Sequence, residues 1–324
     1  MRPRPPLEAA LVDLGRDLRD RARRAAVRAG ASRPEEVGAS DLQYGVDVAT
    51  EEGLIDAVRA HLGPWLPLRL FSEGLDPEGV VVGEGVPVRR LVVDPIDGTR
   101  GLMHDKRSAW ALLGVAPDAD PRLRTLEAAA MVEIPTRLGG AGEVLSATRG
   151  DGWTGSVDVM PGVSGITEPF VRRSTDGLSF EHGFVTVARF FPGISRRLDA
   201  FATALMREFE ARGWAPAGTV FEDQYISNGG QMAALVTGRD RLVVDLRALL
   251  GDPGRPIRSG HAYDLLGLLV AEEAGVVITD CSGAELDAPL SMVAPVPWIG
   301  YAHRPMRDAC APIVAAVLES VKNA

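Results

Sequence analysis

The chain has 324 residues, of which 46% are hydrophobic and 24% charged, and its 35 basic and 44 acidic side chains leave a net charge of −9. This balance is typical of a folded globular protein, and it excludes binding of nucleic acid or an anionic membrane through bulk charge, because such binding needs a basic surface. Residues 1–30 lack an apolar core of signal-peptide length, other apolar runs are too short for a membrane span, and two cysteines cannot form a disulfide framework. We therefore expect a cytoplasmic protein with reduced thiols.

The first half of the chain begins with helices and continues with strands. Leucines at positions 7, 11, 14 and 18 predict an amphipathic helix, a polar connection follows over 33–44, and a second helix is predicted over Thr50–Leu62. Strands are predicted at Pro67–Phe71, Arg90–Val93, Ala109–Ala116, Ala128–Ile134 and Glu143–Thr148, with a hairpin near Val80–Val82.

The second half alternates strands with helices, which indicates an α/β layer. It follows a connection over Val157–Gly177 that is rich in Gly, Pro, Ser and Asp. We place a boundary near residue 165, so that 1–165 form an N-terminal α+β half and 166–324 a C-terminal α/β half. The predicted elements are strands at Phe184–Phe191, Leu242–Asp245 and Val276–Thr279 and helices at Ser195–Arg212, Gly229–Thr237 and Asp264–Ala274.

A glycine pattern at 150–155 matches the dinucleotide-binding fingerprint but lacks the helix that must follow it, since Ser156–Gly165 contains Pro and Gly. Phosphate-loop, zinc-protease and serine-hydrolase motifs are absent from the sequence. The five histidines have no metal-ligand spacing, and among them only His261, three residues before Asp264, is a candidate site residue.

The strongest signal is the segment Leu91–Thr99, with the sequence LVVDPIDGT. An apolar strand delivers Asp94 to its carboxyl end, where sites of α/β proteins usually lie. Pro95 has no N–H to donate and is expected to end the strand's ladder, which frees the Ile96 carbonyl, and Asp97 follows on a tight turn. Two carboxylates and a carbonyl are hard oxygen ligands, which suit Mg²⁺ or Mn²⁺ and not zinc.

This motif, together with a second segment at His261–Asp280, resembles the inositol monophosphatase superfamily of magnesium-dependent, lithium-sensitive phosphatases. That superfamily also includes bisphosphate nucleotidases, some fructose-1,6-bisphosphatases and a class of histidinol phosphatases. The resemblance extends from about Asp47 to Asp280. It implies an α+β fold of the inositol monophosphatase type, a layered α/β/α/β/α sandwich.

The resemblance also implies roles for individual residues. Glu73, Asp94 and the Ile96 carbonyl are expected to hold one Mg²⁺, and Asp94, Asp97 and Asp264 another, with a third, looser ion near Glu73. Glu84, in a Gly-Glu-Gly sequence, stays an alternative to Glu73. Asp47 and the Thr99 hydroxyl are expected to orient the attacking water. The N–H groups of Gly98 and Thr99 are expected to bind phosphate, with Arg100 and His261 on the substrate side.

The sequence therefore predicts Mg²⁺-dependent hydrolysis of a small phosphorylated metabolite, a sugar, inositol, nucleotide or amino-alcohol phosphate, by a homodimer. Arg100 either reaches a second anionic group or is a plain exposed base, and residues 245–260 are expected to shape the substrate pocket. A haloacid-dehalogenase phosphatase is disfavoured, because its two aspartates are two residues apart whereas Asp94 and Asp97 are three apart. A non-catalytic metal- or phosphate-binding protein of the same fold stays open as the alternative.

Overall fold

A computed structural model describes residues 6–27, 34–37, 42–163, 170–173, 177–191, 193, 195–252 and 259–323. In these ranges the helices are α1 (Leu7–Ala26), α2 (Gly45–Glu51), α3 (Leu54–Leu62), α4 (Thr99–Met103), α5 (Arg196–Ala211), α6 (Asn228–Val236), α7 (Arg247–Leu250), α8 (Leu268–Glu273) and α9 (Arg304–Lys322). None of these described helices is both long and apolar enough to cross a lipid bilayer.

The strands form a hairpin and two larger sheets. They are β1 (Pro34–Val37), β2 (Leu42–Tyr44), β3 (Leu68–Phe71), β4 (Val80–Val82), β5 (Arg89–Asp97), β6 (Ala109–Pro117), β7 (Ala128–Ile134), β8 (Ala141–Thr148), β9 (Gly152–Val159), β10 (Phe184–Val187), β11 (Asp240–Asp245), β12 (Val277–Thr279) and β13 (Trp298–Tyr301). The larger sheet has the order β4-β3-β5-β6-β7-β8-β9 and is antiparallel except for the β3–β5 pair. The smaller has the order β10-β11-β13-β12, with β10 and β11 parallel.

These elements stack in five layers. Helix α1 covers the outer face of the seven-stranded sheet, and α2 and α3 pack beside it. Helices α6 and α8 lie between the two sheets, and α5 and α9 cover the far side of the four-stranded sheet. The predicted fold class, an α+β layered α/β/α/β/α sandwich, is confirmed.

Strand β6 shows how alternation along the sequence builds two of these layers. Ala109, Ala111, Leu113 and Val115 belong to the core beneath α1, whereas Trp110, Leu112 and Ala116 belong to the core between the sheets. Successive side chains of a strand point to opposite faces, so a strand buried on both faces reads as a continuous apolar run.

Several predicted elements differ from the observed ones. The helix predicted over Thr50–Leu62 is divided, because Gly53 adopts a left-handed conformation with φ +75° between α2 and α3. The polar connection over 33–44 contains the β1–β2 hairpin. The predicted strand Phe184–Phe191 ends at Val187, since the N–H of Arg189 donates to the Gln224 side chain and not to β11.

The connection predicted from Val157 is also wrong at its start, because the chain forms β9 over Gly152–Val159. This strand is paired only with β8 in the described sheet. Its glycines hid it, yet Gly155 lets the Phe170 ring pack directly on the backbone, where a Cβ would lie 2.6 Å from a ring carbon. The sequence interpretation assigned neither β13 nor α9. The boundary predicted near residue 165 lies outside the described residues.

Candidate functional site

A bulge in β5 brings the two aspartates of the Asp-Pro-Ile-Asp segment to the same face of the sheet. Asp94 pairs with Leu112 and Asp97 with Trp110, and the register shifts between the two pairs. In a regular strand, residues three apart face opposite sides, and the one extra residue of a bulge corrects this. Pro95 therefore does not end the strand, as predicted, but lies within the bulge. Both carboxylates face the layer between the sheets.

Gly98 turns the chain sharply after these aspartates. Its φ of +99° is a left-handed conformation that favours glycine, and a Cβ there would lie 3.0 Å from Cβ of Ser227. Helix α4 begins at the next residue, Thr99. The turn thus presents the backbone of 98–99 to the same space as the two carboxylates.

That space is a cavity of about 80 Å³ between the two halves of the chain. Every predicted site residue except His261 lines it, namely Asp47, Glu73, Asp94, Ile96, Asp97, Gly98, Thr99, Arg100 and Asp264. Pockets that enclose a drug-sized ligand measure roughly 300–1,000 Å³, so this cavity encloses ions, waters or a phosphoryl group and not a whole metabolite.

Asp97 is held by residues from the second half of the chain. Ser227 Oγ donates to Asp97 Oδ2 at 2.8 Å, and the Gly229 N–H donates to the same oxygen at 2.5 Å. The sequence interpretation missed Ser227. A serine before a helix signals an N-cap, and Ser227 does accept from the Gly230 N–H, but nothing local reveals a partner 130 positions away.

Asp47 and Thr99 contact each other, as the sequence predicts. Thr99 Oγ1 lies 2.8 Å from Asp47 Oδ1 and 2.9 Å from the Ile96 carbonyl oxygen. The Tyr44 N–H donates to the other oxygen, Asp47 Oδ2, at 2.9 Å. A hydroxyl has one hydrogen, so Thr99 donates to one of its two acceptors at a time and can accept from a third group.

The structure separates the two glutamates that the sequence left as alternatives. Glu73 lines the cavity, and its Oε1 is buried with no hydrogen-bond partner. Glu84 is exposed beyond the end of β4 and lies outside this cavity. The loop that carries Glu73 is fixed by Glu51, whose Oε1 accepts from Ser72 Oγ at 2.6 Å and from the Gly74 N–H at 3.0 Å.

Asp264 lies in a 3-10 turn over Ala262–Leu265, not at the first turn of the predicted helix over Asp264–Ala274, since α8 begins only at Leu268. Its Oδ2 accepts from the His261 N–H at 2.7 Å. The His261 ring stacks on Tyr263 with centroids 5.4 Å apart, and its Nδ1 lies 3.7 Å from Asp264 Oδ2. His261 therefore contacts Asp264 from outside the cavity.

Burial and mutual repulsion raise the pKa values of the cavity's acids. Burial raises the pKa of Asp47 to about 6 and, with the charges of Asp47 and Asp264, that of Glu73 to about 8. Burial and the charge of Asp264 raise the pKa of Asp97 to about 7. The pKa of Asp94 is raised well above its ordinary value by burial and by its acidic neighbours. Deprotonating the whole cluster is costly unless cations join it.

Within the described residues, no lysine or arginine forms an ion pair with Glu73, Asp94, Asp97 or Asp264. All available ligands are oxygens, which is the donor chemistry that Mg²⁺ prefers, and the orphaned Glu73 Oε1 offers an open position. No three acidic, imidazole or thiol groups of the described chain already form a ligand set around one point. The residues fit a divalent cation in chemistry and charge, and binding requires their side chains to converge.

Comparisons with known proteins address the fold. No protein-family model matches the chain, and no curated protein matches it. Solved structures do match: an IMPase of Thermotoga maritima with a TM-score of 0.59 and 18% identity covers 97% of this chain and 96% of its own. The extragenic suppressor protein SuhB of Bartonella henselae has a TM-score of 0.62 and 16% identity, over 94% of this chain and 98% of its own. A fructose-1,6-bisphosphatase of Leishmania major has a TM-score of 0.63 and 13% identity, over 98% of this chain and 94% of its own.

The chain adopts the inositol monophosphatase fold. At these identities the likeness concerns the fold alone, and the roles of the site residues stay predictions.

On the inositol monophosphatase fold of this chain, the cavity has an outer wall that the sequence interpretation did not identify. Arg247, at the start of α7, lines the cavity and pairs with Asp245 through Nε–Oδ1 and Nη2–Oδ2 contacts of 2.8 and 2.5 Å. Its guanidinium lies 4.3 Å from the centroid of the Phe190 ring. Arg100 lies on the opposite side, near Tyr44, and is half-buried. Residues 253–258, part of the predicted pocket segment, lie outside the described residues.

Proposed function

We propose that this chain is a Mg²⁺-dependent phosphatase that hydrolyses a small phosphate monoester with water as the nucleophile. One observation carries the proposal: Glu73, Asp94, Asp97 and Asp264 line a single cavity beside the hydrogen-bonded pair of Asp47 and Thr99. A buried cluster of like charges is costly to a fold, and it is typical of a functional site where cations compensate it.

Glu73, Asp94 and the Ile96 carbonyl would hold one Mg²⁺, and Asp94, Asp97 and Asp264 another, while Glu73 would also serve a third, looser ion. Mn²⁺ is the closest substitute in ligand preference. When bound, such ions neutralise phosphate oxygens and lower the pKa of water.

The protein's own residues position the water and hold its proton. As the water oxygen attacks phosphorus, its proton passes to Thr99 Oγ1 while the Thr99 hydrogen passes to Asp47 Oδ1, 2.8 Å away. A carboxylate whose pKa is about 6 suits a proton acceptor near neutral pH. The N–H groups of Gly98 and Thr99 donate to the phosphoryl oxygens in this proposal. Phosphoryl transfer needs mainly such positioning and charge stabilisation.

The size of the cavity bears on the substrate. Because about 80 Å³ encloses only the phosphoryl end, the remainder of the metabolite extends outward between Arg100 and the wall of Arg247 and Phe190. This leaves a sugar, inositol, nucleotide or amino-alcohol phosphate as the substrate class. The proposal also retains the homodimer and the cytoplasmic location that the sequence predicts.

Phosphate release, measured with and without Mg²⁺ on a panel of such monoesters, tests the proposal. We expect Mg²⁺-dependent turnover of at least one ester and a loss of about 100-fold or more in Asp94→Asn. Asp118→Asn is the matched control, because Asp118 pairs with Arg69 and Arg90 and so lies toward the other end of β5. Mg²⁺ binding without phosphate release from any ester would instead favour the alternative, a non-catalytic metal- or phosphate-binding protein.

A further inference from the structure

A second cavity, which we call the basic cleft, lies between the ends of β6 and β7 and the starts of β10 and β11. Its volume is about 970 Å³. The basic cleft is defined by five cationic residues that line it: Lys106, Arg107, Arg173, Arg239 and Arg241. It shares no lining residue with the carboxylate cavity.

The charge of the basic cleft is opposite to that of the molecule. Against its five lysines and arginines stand three acids, Glu133, Asp223 and Asp240, so the lining carries a formal charge of 5 − 3 = +2 in a chain of net charge −9. Within the described residues, Lys106 and Arg173 are exposed and have no acidic partner. Clefts lined by one sign of charge focus the electric field and attract ions of the opposite sign.

The paired cations of the basic cleft stay at its surface. Arg107 contacts Asp223 at 2.9 Å and Arg239 contacts Glu143, but each arginine is exposed and keeps donors beyond those pairs. Arginine presents a planar fork that suits phosphate oxygens.

The floor of the basic cleft adds hydrogen-bonding and aromatic groups. Tyr225 Oη lies there with Ser108 Oγ at 3.1 Å and Trp110 Nε1 at 3.0 Å, and Arg107 covers the tyrosine ring with its guanidinium 4.3 Å from the centroid. Helix α6 contributes only Gly230 and Ala234 to the lining, and these small residues leave the volume open.

From these observations we infer that the basic cleft binds a small molecule that carries at least two phosphate groups. Its volume lies within the roughly 300–1,000 Å³ of ligand pockets, and several separate cations match several charges on one ligand. A polynucleotide fits less well, since the net charge of −9 repels a long polyanion outside the cleft. This inference does not depend on the proposed phosphatase activity.

Calorimetry with inorganic pyrophosphate and with ADP tests the inference on the full chain in the presence of EDTA. Without divalent cations the carboxylate cavity repels anions, so binding reports the basic cleft. The test variant is the double change Lys106→Glu and Arg173→Glu. The matched control is Arg196→Glu with Arg207→Glu, which changes the net charge equally at two exposed residues of α5 that line neither cavity.

We expect wild type and the control to bind pyrophosphate alike, and the test variant to bind it at least about 10-fold more weakly. Circular dichroism and thermal unfolding establish that both variants are folded. Tighter binding of ADP than of pyrophosphate would show that the ligand includes a ring, and equal binding that the phosphates suffice. No heat with either probe, or equal weakening in both variants, would overturn the inference, because bulk charge would then explain any binding.

Discussion

At the residue scale, the acids of the carboxylate cavity differ in how firmly they are held. Asp47, Asp97 and Asp264 each accept a backbone N–H, from Tyr44, Gly229 and His261 respectively. Glu73 has one buried oxygen without any partner. A buried unsatisfied oxygen costs free energy, so its persistence points to a ligand that the protein alone does not supply.

Glu73→Gln therefore tests which glutamate binds the cation. The amide keeps the volume of the side chain but removes its charge, and we expect the affinity for Mg²⁺ to fall at least about 10-fold, as measured by calorimetry. Glu84→Gln is the control, because Glu84 is exposed outside the cavity and its loss is expected to leave the affinity unchanged. The reverse pattern would assign the site to Glu84.

The Thr99 hydroxyl permits a similar test of the catalytic pair. Thr99→Val replaces the hydroxyl with a methyl group of similar size, so water loses its proton acceptor while the ligands for the cations stay in place. We expect kcat to fall by about 100-fold with little change in KM or in Mg²⁺ affinity. Thr50→Val is the control: Thr50 in α2 donates only to the Val46 carbonyl, and its loss is expected to lower stability but not kcat. A Thr99→Val enzyme that keeps full kcat would remove Thr99 from the mechanism.

At the scale of the elements, the sequence predicts what local pattern controls. Apolar runs such as Ala109–Ala116 and Ala128–Ile134 correspond to β6 and β7 within one residue. Strand β9 was missed because its pairing with β8 outweighs a glycine-rich composition that alone suggests a loop. The break at Gly53 was missed because apolar spacing continues through it, although the backbone there is left-handed.

The same division applies to the candidate site. Its ligands follow a recognisable motif, so Asp94, Asp97 and Asp264 were predictable as a group. Their supports were not, since Ser227, Gly229 and the pair of Asp245 and Arg247 reach the cavity only after the two sheets pack together. The bulge at Pro95 was also unpredictable, because it depends on register against β6.

The attachment of α1 to the edge of the larger sheet gives a prediction at this scale. Asp158 in β9 accepts from Arg16 Nε at 2.8 Å and from Arg19 Nη1 at 2.6 Å. Burial opposes ionisation of Asp158, but these hydrogen bonds outweigh it and lower its pKa. Asp158→Asn removes the charge and leaves the largely buried Arg19 poorly compensated, so we expect the free energy of unfolding to fall by about 1–3 kcal/mol.

Urea unfolding of the purified variant measures this change. Asp56→Asn is the control, because the Asp56–Arg59 pair is exposed, with 80% and 59% of the two side chains accessible, and such pairs contribute little. Equal effects of the two substitutions would contradict an anchoring role for Asp158.

At the scale of the whole molecule, the carboxylate cavity lies where the two halves of the chain meet, and its charge affects the stability of both. Asp47, Asp97 and Glu73 have pKa values of about 6, 7 and 8 in the folded protein. Their ordinary values in an unfolded chain are about 4. Between about pH 4 and pH 8 the folded state therefore binds more protons than the unfolded state.

It follows that the metal-free protein loses stability as pH rises through this window, by about 1.4 kcal/mol per pH unit for each extra proton bound. Divalent cations that bind the ionised carboxylates of the folded state replace those protons, so saturating Mg²⁺ is expected to raise the unfolding temperature most near pH 8 and little near pH 5. Asp94→Asn removes one buried charge and should raise metal-free stability near pH 8 while abolishing the gain from Mg²⁺, whereas Asp118→Asn should keep both the slope and the gain. Thermal unfolding across this pH range, in EDTA and in Mg²⁺, measures all three proteins. Metal-free stability that rises with pH would mean that the four acids are compensated within the fold, and the need for a cation would then disappear.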